Sequence, residues 1–485
     1  MLSIALAALA ASADPQSNPP AFVPCEQPQS MAGEQLPSTT STVDLVKAWL
    51  DAMHRSDDAA FIRFVQERGP VLLGPPEQWL ELRNMLRDLR FCGVKSADAA
   101  RVDLWAFDPN IDSYAVAQFK LGAKASDKIS FAGIWLTGEV PPGTPTPPKL
   151  DPAMLIKAVQ ARASSELEQD RFSGALLIAK RGQVLLQKAY GYANRETRTP
   201  NDLNTQFRFG SMGKMFTIIA IMQLVQDGKV DPSAPIGRYL ANYPNQDVAT
   251  KVTVANLLTH TGGTGDIFGP DFDAHKSTLR DLKDYVALYG KRSPEFAPGS
   301  RFAYSNYGFI LLGRIVEEVT GLSYDAYLQR NIFDPAGMHA TGNLPESTIL
   351  PHRAVGYMGS GAKLRRADET LPLRGTSAGG GYSTVGDFNR FVEALVSHRL
   401  LRAATLQQLI DGGIKTSDGQ FMRYDFGGVM PGAGRFIGHG GGAPGMNGAL
   451  YHFLDSGYTV IVLANRDPAA ADGIATFAAH RLPAH

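Results

Sequence analysis

The sequence predicts an α+β molecule in two parts. A small N-terminal domain lays a curved sheet over helices. A larger α/β domain carries an antiparallel sheet with a helical subdomain. Three observations support this. Residues 141–152 read PPGTPTPPKLDP, a run of prolines without amide donors that can form neither a helix nor a central strand. Before it, helical patterns precede strand patterns. After it, strand-like runs lie at both ends of the remaining chain, with helical runs between them.

The elements follow in order. Leu2–Ala13 (LSIALAALAASA) ends in a small-x-small pattern and reads as a short secretory signal peptide over residues 1–13, without the usual basic segment. The protein is therefore expected to be exported, periplasmic or secreted. Residues 14–40 read as a flexible leader and 41–140 as the small domain. There, Leu45, Val46, Trp49, Leu50 and Met53 share a helical face. Ser56 is placed to cap a second helix carrying Phe61, Phe64 and Val65. Leu82, Leu86 and Leu89 mark a third helix, with Phe91-Cys92 continuing its pattern. Strands are expected at Val102–Phe107, Tyr114–Leu121 and Ile129–Thr137. Trp49, Trp79 and Trp105 read as core. Cys25 and Cys92 could pair in an oxidising compartment, and two cysteines alone cannot make a four-ligand zinc site.

Residues 141–152 are a semi-rigid linker, and 153–485 form one unit. Two apolar runs flank Lys180-Arg181-Gly182-Gln183, a hairpin signal. A helix with one buried face is expected from Ser211 to about Gln226, using Met215, Ile218, Ile219, Met222 and Val225. A second runs from Tyr307 to Thr320 and stops at Gly321. Gly448–Phe453 and Gly457–Asn465 read as strands, and Ala470–Leu482 as a closing helix.

The chain has 485 residues and equal numbers of basic and acidic side chains, 47 each. It lacks the basic excess of a nucleic-acid binder. No run approaches the roughly 20 apolar residues of a membrane span. Charge and composition leave the oligomeric state open.

Three stretches carry chemistry. In Ser211-Met212-Gly213-Lys214, positions i and i+3 of a helix share a face, which brings an amine to a hydroxyl. A serine is a weak nucleophile until a base takes its proton. A lysine can serve once burial or positive neighbours lower its pKa from about 10.4. The same letters recur at Ser360-Gly361-Ala362-Lys363, in a polar glycine-rich stretch without helical periodicity. Only the first copy opens a helix. The second stretch is Tyr304-Ser305-Asn306, a phenol and an amide that can handle protons and hold a lysine or a carbonyl. The third is His439-Gly440-Gly441, where glycines allow close backbone approach and amides can face an oxyanion.

In this order the stretches resemble the serine β-lactamase and penicillin-binding superfamily, in particular its class C β-lactamase-like branch. LLTHTGG (257–263), EFAPGSRFAYSNYGFILLGRIVEEVTG (295–321), NIFDPAGMHATG (331–342) and SAGGGYSTVGDF (377–388) resemble its framework, so the resemblance spans roughly 155–480. It implies a β-lactamase/transpeptidase-like fold. It also implies Ser211 as acylated nucleophile, with proton transfer shared by Lys214 and Tyr304. Asn306 would orient Lys214 and the substrate carbonyl. His439, Gly440 and Gly441 would bind substrate, and the Ser211 and Gly442 amides would form the oxyanion hole. No metal or organic cofactor is implied. Separately, WLDAMHRSDDAAFIRFV and ISFAGIWL resemble the nuclear transport factor 2-like family, whose folds often enclose a cone-shaped pocket. No convergent polar set accompanies them.

One departure bears on substrate. Where many β-lactamases carry Lys-Thr-Gly, this chain has His439-Gly440-Gly441. A histidine of ordinary pKa near 6.5 is mostly neutral at pH 7, and the threonine hydroxyl is gone. A carboxylate-bearing β-lactam should be held less well. The expectation is a serine hydrolase acting through an acyl-enzyme on esters or small amides, of esterase or D-amino-acid peptidase type. The alternatives are a β-lactamase or DD-carboxypeptidase, or a non-catalytic protein binding peptidoglycan or another ligand.

Overall fold

The computed structural model describes residues 41–55, 57–68, 80, 83, 88–97, 101–121, 129–136, 140–141, 144, 147–368, 372–417 and 419–483. The signal and leader segments, Cys25, Ser56, Trp79, Leu82, Leu86 and Thr137 lie outside them. The chain divides into two compact units, Met1–Lys149 with Val429–Ala433, and Leu150–Gly428 with Gly434–His485.

In the first unit, helices α1 (Ser41–Arg55) and α2 (Asp58–Arg68) precede four strands, β1 (Arg90–Ala97), β2 (Arg101–Asp108), β3 (Ser113–Leu121) and β4 (Ile129–Leu136). The strands pair antiparallel in sequence order. Alternate positions Val102, Leu104 and Ala106 of β2 join Leu45, Val46, Trp49, Met53, Phe61 and Val65 in one core, as the period-two geometry of a strand requires. Trp49 meets Phe119 edge-on at 5.0 Å. Trp105 is also buried, with the Lys95 ammonium 4.6 Å from its ring centre. The start of α2 is capped by Asp57, whose carboxylate accepts from Ala60 N–H at 2.7 Å.

Phe91-Cys92 is a correction. These residues lie in β1, not in a helix. The register of β1 shifts between Phe91 and Gly93 and again between Val94 and Ser96. Two such irregularities break the alternation that marks a strand in sequence. Cys92 is disulfide-bonded.

In the second unit, α3 (Pro152–Glu168) starts at the last proline of the linker. Asp151 caps it, accepting from Ala153 and Met154 N–H at 2.9 Å each. Strands β5 (Gly174–Lys180) and β6 (Gln183–Tyr190) form a hairpin. Its two-residue turn has φ of 48° at Arg181 and 82° at Gly182. Two positive φ values match the twist of the flanking strands. After the helical region come β7 (Gly434–Ala443), β8 (Met446–Phe453), β9 (Tyr458–Ala464) and the final helix α7 (Ala470–His480). The sheet runs β7-β8-β9-β5-β6. The first and last segments of this unit thus pair directly, Ile461 opposite Leu177. Helices α3 and α7 pack together, α7 against β8 and β9. Residues of β8 and β9 are buried throughout, which explains their mostly apolar sequences.

The helix after Ser211 differs from its expected form. A 3₁₀ turn, Gly210–Gly213, leads into α4 (Lys214–Gln226). Nearly every residue from Lys214 to Leu224 is buried, so α4 is a central helix and not an amphipathic surface one. Phe216 sits among Phe209, Phe333, Phe388 and Phe391, ring centres 5.1–5.8 Å away. Helix α5 (Asn306–Thr320) ends where Gly321 takes φ 71°. Helix α6 (Val385–Val396) packs on β5 and β9.

Candidate active site

The turn that carries Ser211 is gripped from two sides, and glycine makes both approaches possible. A Cβ on Gly441 would lie 2.1 Å from Phe209 O and 2.9 Å from Ser211 N; one on Gly379 would lie 2.3 Å from Gly210 O. Strand β7 and the 376–381 loop therefore press directly on the backbone of Ser211. Gly442, next along β7, is exposed. The partner strand secures this contact. Asn447 Nδ2 donates to Gly441 O at 2.9 Å and to Asp472 Oδ2 at 2.8 Å. Its Oδ1 accepts from Ala471 and Asp472 N–H at 2.6 and 3.0 Å. Burial pushes the Asp472 carboxyl up to about 6, against the Asn447 bond and the nearby His439.

Lys214 begins α4 and is fully buried. Its Nζ donates to Asn306 Oδ1 and Ala378 O at 2.7 Å each and lies 3.2 Å from Ser211 Oγ. Burial pulls the amine down to about 8, while Asp425 and Asp266 oppose the shift. The neutral form is thus accessible near physiological pH.

Tyr304 and Asn306 come from one turn. Ser305 caps α5, its Oγ accepting from Gly308 N–H at 2.9 Å and donating to Gly265 O at 2.5 Å. Asn306 is the first helical residue. Its Oδ1 faces Lys214, and its Nδ2 donates to Asp266 at 3.0 and 3.2 Å. The Tyr304 ring lies 4.8 Å from Lys214 Nζ, and its hydroxyl hydrogen-bonds the Ser211 side chain. Burial, with Asp425 adding to it, pushes this phenol well above its usual range. It therefore keeps its proton.

Two groups were invisible as chemistry in the sequence. His260, within LLTHTGG, stacks on Tyr304 with ring centres 4.3 Å apart. Its Nδ1 accepts from Ser305 N–H at 3.0 Å, so the proton sits on Nε2. That proton is donated to Asp425 Oδ2 at 2.9 Å. Burial lowers the basicity of this imidazole. Asp425 belongs to no recognised motif. Its Oδ2 also meets His439 Nε2 at 2.8 Å. Burial alone would raise this carboxyl; the His439 and His260 rings outweigh it and hold it well below the usual range. The other His439 nitrogen, Nδ1, faces Gly440 O. Both ring nitrogens thus face oxygen atoms, one from the backbone and one from a carboxylate.

All eight residues singled out from sequence, Ser211, Lys214, Tyr304, Asn306, His439, Gly440, Gly441 and Gly442, fall around this one site. Ser360 and Lys363 do not; their stretch is exposed. Among the described residues, no group of three or more His, Cys, Asp or Glu is arranged to hold a metal ion. No described helix is long and apolar enough to cross a membrane.

A serine with a buried lysine at i+3, set where the sheet meets a helical region, defines a serine hydrolase of the β-lactamase and penicillin-binding superfamily. Residues 155–484 match the family described as Beta-lactamase, and the chain belongs to it. It is 30% identical over 319 residues to penicillin-binding protein 4* of Bacillus subtilis, covering 62% of this chain and 69% of that one. The crystal structure of a penicillin-binding protein from Bacillus halodurans superposes with a TM-score of 0.57 at 34% identity, covering 64% of this chain and 97% of that one. A D-stereospecific amidohydrolase from Streptomyces shares the fold, with a TM-score of 0.56 at 24% identity, covering 68% of this chain and 98% of that one.

Proposed function

We propose that the protein hydrolyses esters or small amides through an acyl-enzyme on Ser211, in the manner of the class C-like branch. The observation that carries this reading is the fully buried Lys214 Nζ, 3.2 Å from Ser211 Oγ, its amine pulled down to about 8 by burial. In acylation, Lys214 takes the Ser211 proton as Oγ attacks the substrate carbonyl. The resulting oxyanion is received by the amides of Ser211 and Gly442. The proton passes to the leaving alcohol or amine through the Tyr304 phenol, and the C–O or C–N bond breaks. In deacylation, water attacks the acyl carbon and gives a proton to Lys214; the acyl C–Oγ bond then breaks, and Lys214 returns that proton to Ser211 Oγ, which restores both groups and releases the acid. Tyr304 acts in this scheme as a neutral relay, which its raised pKa supports. Asn306 keeps the amine in place.

A second reading is favoured by the penicillin-binding relatives: acylation by a β-lactam or a D-peptide. A panel of p-nitrophenyl esters, D-amino-acid amides, a D-alanyl-D-alanine peptide and nitrocefin separates the two. A fluorophosphonate probe should label Ser211, and Ser211→Ala should lose both labelling and turnover. Binding without turnover on the whole panel would instead identify a non-catalytic ligand-binding protein.

A further inference from the structure

The basic side chains of the site are each tied to a carboxylate. Lys214 reaches Asp266 through the Asn306 amide, whose oxygen faces the amine and whose nitrogen faces the acid. His439 is bound directly to Asp425, and the same oxygen of Asp425 receives the proton of buried His260. Asp425 acts on the whole catalytic set. Its charge is felt at Lys214 and at Tyr304 as well as at both histidines. Asp472, across the glycine strand, adds a further acid facing His439.

We propose that Asp425 is a specificity-determining residue that cancels the charge of His439, so that the site favours uncharged esters and amides over substrates carrying a carboxylate. This rests on the ester or amide hydrolase reading above. His439 precedes the Gly440–Gly442 segment that presses on Ser211, so its charge lies beside the acyl-transfer site. A single unpaired positive charge there would attract a substrate anion. With Asp425 ionised beside it, the pair is neutral when His439 is protonated and negative when it is not. In neither state does it offer a net positive charge.

The charges that must be weighed with this pair are His260, Lys214, Tyr304, Asp266 and Asp472. Replacing Asp425 by asparagine keeps the shape and removes one negative charge. A protonated His439 is then an uncompensated cation, and the sign is a preference for anionic substrates.

The test uses the full chain and two matched esters, 3-carboxyphenyl phenylacetate and its neutral 3-methoxycarbonylphenyl counterpart. The readout is the ratio of kcat/KM, charged over neutral. Asp425→Asn should raise this ratio about tenfold, the order expected of one unit charge a few ångströms away. His439→Gln, which removes the base facing Asp425 and leaves it only its His260 bond, should lower the ratio. Asp425→Glu should restore the wild-type value. A residue that only positions His439 would change both esters equally, and an unchanged ratio in the Asn and Gln variants overturns the proposal. Should the wild-type protein turn over neither ester and resist a fluorophosphonate, the hydrolase reading falls and takes this inference with it. Turnover of the neutral ester with unchanged ratios defeats the inference alone.

Discussion

Two stretches of this chain carry the same four-residue pattern in opposite surroundings. Ser211–Lys214 lies beneath a glycine strand and a glycine loop, and its lysine is fully buried among three acceptors. Ser360–Lys363 is an exposed 3₁₀ turn without a buried residue. A lysine in water keeps its ordinary pKa and leaves its serine inert. Only a lysine that has lost its water, and has precise acceptors in exchange, can be neutral beside a serine. The letters specify spacing, while the surroundings specify chemistry.

The comparison can be broken most sharply at the nucleophile. Ser211→Ala should reduce ester turnover by at least about 10³-fold and by up to about 10⁶-fold, the range seen when an acylated serine is removed. Ser360→Ala should leave turnover within about twofold, as for an ordinary surface substitution. Steady-state kinetics on a p-nitrophenyl ester reads both.

The lysines come next. Lys214→Met should lower kcat/KM by about 10²–10⁴-fold, the usual contribution of a positioned base, and Lys363→Met should be silent. In the wild-type protein, kcat/KM should rise with pH and level off above about 8, because Lys214 works unprotonated and its amine is held at about 8. An enzyme that used its protonated form would show the reverse slope.

The glycines give a third contrast. A Cβ at Gly441 meets Phe209 O and Ser211 N, so Gly441→Ala must move β7 off the nucleophile turn. Losing oxyanion contact in this way should cost about 10²–10³-fold in kcat. Gly361 has φ 55° but open space around its missing Cβ, so Gly361→Ala should cost only about 1–2 kcal/mol from the left-handed backbone, read by thermal melting, with activity intact.

The smallest effect is expected at Asp472. Its carboxyl is raised in the folded state to about 6, so ionisation opposes folding. The stability it permits is complete below its unfolded pKa near 3.8 and is lost as pH rises through about 6. Asp472→Asn keeps an acceptor for Asn447 and cannot ionise. It should melt higher than wild type at pH 8 and show little difference at pH 4. Equal shifts at both pH values would contradict this assignment.

Much of this was legible in the sequence, and the reason differs by region. The sheet ends were readable because β8, β9 and most of β5 are buried and so carry mostly apolar side chains. The hairpin was readable because Arg181-Gly182 supplies the turn. The fully buried character of α4 was not, because the chosen apolar positions already satisfied a one-sided helix and left the burial of Thr217 and Ala220 unremarked. Strand β1 was hidden by its two register shifts. At the site, Ser211, Lys214, Tyr304 and Asn306 could be found by spacing. Asp425 could not: it lies 165 positions from His260 and 14 from His439, and only the fold joins them. His260 lay inside a stretch whose framework role masked its contact with the tyrosine.

The central claim is that Ser211 is activated by a neutral, buried Lys214. The most direct measurement is the rate of fluorophosphonate labelling of the full chain from pH 6 to pH 10, with the modified residue located by mass spectrometry. The account predicts a single adduct on Ser211. It predicts a rate that climbs about tenfold per pH unit below 8 and then levels, as expected for titration of one essential group. A rate flat across this range, or an adduct at Ser360 or elsewhere, would contradict it.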